Sequence, residues 1–154
     1  MSRGDIAYEN FLKGYNCTQA VTVAFSDIFG LDEKKLARIS GGFGGGVGRM
    51  REVCGTFLGL VMILSEVYGY SEPKNIEAKK ALYEKIRAAA EEFRKDNKSM
   101  ICRELLGLEK MEASAEPEAR TPEYYKKRPC PMLCKYAADL AEKMLEEKNN
   151  GLTV

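Results

Sequence analysis

The sequence predicts an all-α fold, a single-domain bundle of about five to six helices spanning the whole chain. Three observations carry that expectation. Apolar residues recur at helical steps of three and four. No alternating apolar and polar run is long enough to support a sheet, and no internal repeat is present. A length of 154 residues with 45% hydrophobic content supplies one full core rather than two.

Taken in order, Cys17, Val21, Ala24 and Ile28 form one stripe after Asn16, and Gly30 offers a stop, which predicts a first amphipathic helix. Asp32 is placed to cap a short second helix ending at Ile39, with Leu36 and Ile39 inward. Glu52 to Tyr68 is apolar nearly all round its first turns, so it predicts a central helix enclosed by the others. Its most apolar run, Val53 to Leu64, is shorter than the about 20 residues of a membrane span.

Pro73 separates that helix from a fourth, Asn75 to Lys95, with Ala78, Leu82, Ile86, Ala89 and Phe93 on one face. A fifth, short helix covers Ser99 to Leu106 and stops at Gly107. A sixth runs from Pro129 to Lys148, with Leu133, Ala137, Leu140, Ala141 and Met144 inward. Residues 109–128 are polar, contain Pro117 and Pro122, and show little periodicity. They read as a surface loop, more readily a solvated connector than a lid.

Composition excludes several classes of function. With 24 Lys and Arg against 23 Asp and Glu, the net charge of +1 offers no field for nucleic acid or an anionic membrane. The count of His is 0, which removes imidazole-based triads, His-ligated metals and His proton shuttles. Five Cys remain, in a chain whose start lacks an apolar signal core, so a reducing, cytoplasmic location is expected. The expected partner is a redox partner protein or a small thiol, with no nucleic acid and no membrane insertion.

The run Gly41-Gly42-Phe43-Gly44-Gly45-Gly46-Val47-Gly48-Arg49 invites a phosphate-loop reading, but no register of it gives G-x-G-x-x-G, no Walker lysine ends it, and no strand precedes it. The favoured reading is backbone that passes close to another element or takes positive φ before the central helix.

The cysteines are the informative set. Any one of them reads first as a small core residue. Together they are unusual, because Cys17, Cys54, Cys102 and Cys130 each fall in the first turn of a predicted helix, where unpaired N–H groups and aligned peptide dipoles favour an anion. That position is expected to ease formation of the thiolate, the species that attacks disulfides and binds metals. Arg49 and Arg51 flank Cys54, Arg103 follows Cys102, and Lys126, Lys127 and Arg128 precede Cys130, adding cations to the same regions.

Cys134 lies one turn after Cys130. Helical i, i+4 Cβ atoms stand about 5–6 Å apart against the roughly 3.5–4.5 Å that a disulfide needs, so ordinary packing is favoured for it. Zinc knuckles place cysteines about two to four residues apart, whereas the first four here are tens of residues apart. A metal site is therefore the second reading. Gly55 and Gly59 form a small face beside Cys54, at a cost of about 0.5–1 kcal/mol each relative to Ala. A neighbouring helix is the favoured reason, and a ligand against the cysteine the alternative.

At these residues the sequence resembles the C_GCAxxG_C_C family of redox-active proteins, small bacterial and archaeal chains named for four cysteines around a Cys-Gly-Ala-x-x-Gly element. Asn16-Cys17-Thr18-Gln19-Ala20-Val21 resembles its first cysteine segment and Phe43-Gly44-Gly45-Gly46-Val47-Gly48 its glycine loop. Cys54-Gly55-Thr56-Phe57-Leu58-Gly59 is similar to the central element, with Thr56 in place of alanine. Cys102-Arg103-Glu104-Leu105-Leu106-Gly107 resembles the third segment, and Cys130 with Ala137-Ala138 the fourth. The resemblance implies that Cys17, Cys54, Cys102 and Cys130 are the family cysteines and that Cys134 is an extra.

The function expected from all this is redox chemistry by clustered cysteines, as thiol–disulfide exchange or electron transfer, with no cofactor. Catalysis would rest on Cys17, Cys54, Cys102 and Cys130, supported by Gly55, Gly59, Arg49, Arg103 and Cys134, with Cys54 the expected attacking thiol because the glycine loop and small neighbours leave it accessible. The alternative is a module in which the same four cysteines hold zinc, an iron–sulfur cluster or haem without turnover.

Overall fold

The computed structural model describes residues 1–108 and 114–149. Among the described residues the fold is all-helical, with one isolated antiparallel bridge, Val53 to Ile101, in place of any sheet. The helices are α1 (Arg3–Leu12), α2 (Cys17–Val23), α3 (Ser26–Phe29), α4 (Glu33–Ser40), α5 (Gly55–Tyr68), α6 (Ile76–Asn97), α7 (Cys102–Leu105), α8 (Pro122–Lys127) and α9 (Cys130–Asn149). No helix among the described residues is long and apolar enough to cross a membrane.

α1 has no counterpart in the periodicity reading. A capping box fixes its start: Ser2 Oγ accepts from the Asp5 N–H at 3.1 Å, and Asp5 Oδ2 accepts from the Ser2 N–H at 3.1 Å. The predicted first helix is split in two. Phe25 leaves helical geometry, at φ −120° and ψ 23°, and sits fully buried with the Arg3 guanidinium 4.6 Å above its ring. Gly30, at φ 65°, then closes α3 in the left-handed conformation.

Further details differ from expectation, including the start of α7 at Cys102 rather than Ser99. Ile39 is exposed rather than inward, while Leu36 is buried as expected. α5 starts at Gly55 instead of Glu52, because residues 52–54 are drawn into the bridge with 100–102. The stretch 109–128 contains α8, whose start is capped by Thr121 Oγ1 accepting from the Tyr124 N–H at 3.2 Å, with Pro122 in the first turn. Its rings explain why a polar segment folds there: Tyr124 stacks on Phe11 and Tyr125 meets it edge-on, each at 6.4 Å. Of the described part, 114–121 and Arg128 are irregular, and 109–113 lie outside the described residues.

α5 forms the centre, as its all-round apolar character predicts. It packs against α2, α9, α6 and α3, while α1 closes the other side of α9 and α2. Leu60, Ile63 and Leu64 are wholly buried, each contributing about 1.5–3 kcal/mol of transfer free energy. At the level of the site, Phe57 meets Phe93 edge-on at 5.5 Å, and Phe93 meets Tyr136 in the same way. The first turn of α5 is thereby clamped between α6 and α9.

Candidate functional site

Each of four separate segments delivers one cysteine to the beginning of a helix. Cys17 is the first residue of α2, Cys54 the N-cap of α5, Cys102 the first residue of α7 and Cys130 the first residue of α9. All four line one cavity of about 400 Å³. Chain positions tens of residues apart thus share a single space.

The placement of Cys17 follows from Asn16. Its side chain accepts from the Gln19 N–H at 3.0 Å, Gln19 Oε1 accepts from the Asn16 N–H at 3.0 Å, and Asn16 Nδ2 donates to the Gly41 carbonyl at 2.8 Å. Gln19 Nε2 adds a bond to the Ala37 carbonyl at 2.9 Å. One cap therefore fixes the start of α2 and ties it to the end of α4 and the glycine loop. The Gly45 N–H points at the Cys17 sulfur, 3.5 Å away.

Cys54 and Cys102 are brought together by the bridge. The Cys54 N–H donates to the Met100 carbonyl at 2.8 Å, and the Cys102 N–H donates to the Glu52 carbonyl at 2.6 Å. In such a pair both cysteines stand one residue after the bridged positions, so their side chains share a face as a diagonal pair. Thr56 Oγ1 lies 3.1 Å from the Cys54 sulfur, so the hydroxyl that replaces the motif's alanine is a direct neighbour of that thiol.

The glycine loop forms one wall. Residues 45–49 all have positive φ, including Val47 at 65° and Arg49 at 64°, and Arg51 follows at 61°. Left-handed geometry costs a non-glycine residue roughly 1–2 kcal/mol, and Val47 is β-branched, so the loop is held by its surroundings rather than by preference. Its closing bonds, Gly48 N–H to Gly42 and Glu52 N–H to Gly46, measure 2.8 and 2.9 Å. The sequence reading of backbone with positive φ and close approach holds.

The two glycines of α5 have a packing reason. A methyl group on Gly55 would overlap the Cys17 sulfur and stand 2.6 Å from Thr18 Oγ1, and one on Gly59 would stand 3.0 Å from the Val21 side chain. Helix α2 fills both spaces, as the favoured reading has it. At Gly55, what fills the space is itself a cavity thiol.

The cations divide. Arg51 is buried and its Nη1 donates toward the Cys102 sulfur at 3.7 Å. Arg49 lines the cavity and donates to the Ser114 carbonyl at 3.0 Å. Arg103 faces away from the sulfurs: it reaches the Arg51 carbonyl at 3.4 Å and the Glu52 carboxylate at 3.3 Å, which supports the bridge instead. Lys126 and Lys127 are exposed, and Arg128 pairs with Glu118 at 2.7 Å.

Arg120, which the sequence reading did not single out, joins the irregular segment to the site. Its guanidinium donates to the Phe11 carbonyl at 2.8 Å and the Tyr15 carbonyl at 3.0 Å, and lies 4.0 Å over the Phe11 ring. The segment it anchors contributes Ala115, Pro117 and Glu118 to the cavity wall. It is more than a solvated connector.

Proton affinity departs from the sequence expectation. Burial pushes the Cys54 and Cys130 thiols up to about 12, and raises Cys17 despite the Gly45 amide. Cys134, wholly buried, is raised well above the usual thiol range. Desolvation outweighs the helix-start effect at these sulfurs. The thiols also feel one another: a charge on Cys17 raises Cys54, Cys130 and Cys134, and a charge on Cys102 raises Cys17 and Cys130. Cys54, the expected attacker, is therefore held protonated, and only 5% of its surface is exposed.

All five cysteines are free thiols. Cys134 stands behind the cavity, its sulfur 3.7 Å from the Cys17 carbonyl. Among the described residues no three Cys, Asp or Glu side chains converge as a set that holds one metal ion.

Helical packing, a glycine-walled cavity and four thiols on helix starts define a small all-α protein organised around shared cysteines. The chain belongs to the family described as "Putative redox-active protein (C_GCAxxG_C_C)", which matches residues 15–144. No curated protein and no solved structure matches the chain.

Proposed function

We propose that the protein is a dithiol–disulfide redox protein in which Cys102 attacks a partner disulfide and Cys17 resolves the mixed disulfide. The observation that carries this reading is the shared cavity lined by Cys17, Cys54, Cys102 and Cys130. Cys102 is chosen because the buried Arg51 guanidinium donates toward its sulfur at 3.7 Å, which sets a fixed positive charge beside the atom that would attack. Cys17 is chosen because its sulfur senses charge on Cys102 and receives the Gly45 N–H.

The chemistry balances without a cofactor. The Cys102 thiolate displaces one thiolate from the partner disulfide and forms a mixed disulfide, and the leaving thiolate takes up a proton. The Cys17 sulfur, losing its own proton, then attacks Cys102 and releases the second partner thiol. Two electrons pass from the protein dithiol to the partner, and reversal of the same steps restores the dithiol.

The test is mass spectrometry of reduced protein exposed to a limiting disulfide. Cys17→Ser is expected to accumulate a mixed disulfide on Cys102, and Cys102→Ser to form none. Trapping first on another cysteine would reassign the attacker. The second reading, in which Cys17, Cys54, Cys102 and Cys130 hold zinc, an iron–sulfur cluster or haem, draws on the same four-thiol lining but requires the side chains to move, since no three of them converge on one ion as they stand. Stoichiometric metal in purified protein, with no oxidisable dithiol, would favour it.

A further inference from the structure

Thr18, Thr22, Ser40 and Thr56 carry wholly buried hydroxyls. Three of them donate to a backbone carbonyl: Thr18 to Gly55 at 2.8 Å, Thr22 to Thr18 at 3.0 Å and Ser40 to Leu36 at 2.8 Å. The Thr56 hydroxyl instead lies 3.1 Å from the Cys54 sulfur, and among the described residues that sulfur is its partner. Its place at the start of a helix explains the difference. Thr22 and Ser40 reach the carbonyl four residues back within their own helices. Thr56 is the second residue of α5, and four residues before it stands Glu52, outside the helix, whose carbonyl accepts from Cys102.

A buried O–H needs an acceptor, whereas a thiol, the weaker donor, goes unpaired at less cost. The hydroxyl is therefore the donor of this pair, and it points its proton at sulfur. We propose that Thr56 is a positioning residue that makes Cys54 a working third thiol of the cavity: its hydroxyl holds the sulfur at the start of α5 and stabilises the anion through which Cys54 enters and leaves a disulfide. The role as a working thiol rests on the thiol–disulfide reading above; the hydrogen bond does not. Burial drives Cys54 toward its protonated form, and the Thr56 hydroxyl, with the amides of Thr56 and Phe57, opposes it. On entering a disulfide, the Cys54 sulfur bonds to one sulfur of the oxidising disulfide and displaces the other. The displaced sulfur takes the bonding pair and the proton that Cys54 gave up, and opening reverses the exchange.

The experiment measures iodoacetamide labelling of each cysteine in the reduced full chain and in its Thr56→Val and Thr56→Ser variants. Valine keeps the shape and removes the hydroxyl; serine keeps the hydroxyl. The other ionisable groups on the cavity are the same in every chain: the three other thiols and the side chains of Arg49, Arg51, Glu118, Arg120 and Tyr124. Thr56→Val is expected to slow labelling of Cys54 by about threefold to tenfold, the effect of losing a donor to a charged sulfur. Thr56→Ser should keep the parent rate, and Thr56→Ala, a second way to remove the hydroxyl, should change it with the same sign as Thr56→Val. Cys17, on the same cavity, should label at the parent rate throughout. Loosened packing would instead quicken both cysteines. Cys54 rates that ignore the hydroxyl, or that rise without it, would overturn the assignment.

Exposure of the same chains to excess hydroxyethyl disulfide keeps the two readings apart. Mass spectrometry is expected to find Cys54 in a disulfide, formed more slowly in Thr56→Val, with oxidation of Cys102 unchanged. If Cys54 labelling follows the hydroxyl but no cysteine is oxidised, the thiol–disulfide reading fails and the hydrogen bond stands. If Cys102 and Cys17 are oxidised while Cys54 labelling ignores Thr56, the Thr56 assignment fails alone. If those two are oxidised and Cys54 never enters a disulfide, its role as a third thiol is overturned.

Discussion

The Cys17 sulfur occupies the space that a side-chain carbon on Gly55 would fill. Gly55 directly follows Cys54, so the missing Cβ is what lets the start of α2 lie against the start of α5 with both thiols on one cavity. Gly55→Ala is expected to destabilise the protein by about 1–3 kcal/mol, the usual range for overpacking a tight core. Urea unfolding measures the loss. Labelling of Cys17 should accelerate in the same variant, because its sulfur must move.

Stability should fall in alkali. Cys54 and Cys130 sit near 12 in the folded protein against 9.0 for an ordinary thiol. Between those values the unfolded chain has lost protons that the folded chain keeps, so the unfolding free energy decreases with rising pH. The contribution is whole below pH 9.0 and gone above about 12. Chemical denaturation from pH 8 to 11 is expected to show the decline beginning near the ordinary thiol value. Cys54→Ala should make the slope shallower; an unchanged slope would assign the effect to other groups.

Arg120→Ala removes two hydrogen bonds to the end of α1 and its following turn, and a cation placed over Phe11. A loss of about 1–3 kcal/mol is expected. The wall formed by Ala115, Pro117 and Glu118 should loosen with it, so iodoacetamide labelling of Cys102 should quicken. Unchanged labelling would mean that this segment does not restrict access.

Cys134→Ala tests whether the fifth thiol takes part. Its sulfur is wholly buried behind the cavity, beside the Cys17 carbonyl. Expected is a small stability loss, about 1 kcal/mol, with the disulfide pattern after oxidation unchanged. A changed pattern would bring Cys134 into the chemistry.

Much of this was legible in the sequence where a local signal exists. Asn16 followed by Gln19 is a capping box, and it sets Cys17 at the first position of α2. The apolar run from Val53 to Leu64 reads as part of a central helix, and Leu60, Ile63 and Leu64 are wholly buried. α1 was not legible because its burial rests on Ala7 and Phe11 with the polar Asn10, too little for an apolar stripe. α8 depends on Tyr124 and Tyr125 meeting Phe11 across more than a hundred residues of chain. Periodicity carries no trace of such a contact.

The site divides along the same line. Four helix-start cysteines could be read off, but not that burial would raise their proton affinity. Nor does spacing show that Arg51, rather than Arg103, faces the Cys102 sulfur. That difference comes from the bridge, where Arg103 turns outward to Glu52 and Arg51 is buried. Arg120 lay hidden in a segment with no pattern at all.

The mirror-handed turn over residues 45–49 acts as a spacer of fixed length. It returns the chain so that Glu52 closes onto Gly46, and the next residues set Cys54 beside the bridged segment that leads into Cys102. Inserting or deleting one residue there would switch which side chains the bridge turns toward the cavity, since neighbours on an extended strand face opposite ways. Between Gly44 and Glu52 the protein has less tolerance for a change of length than for a change of side chain.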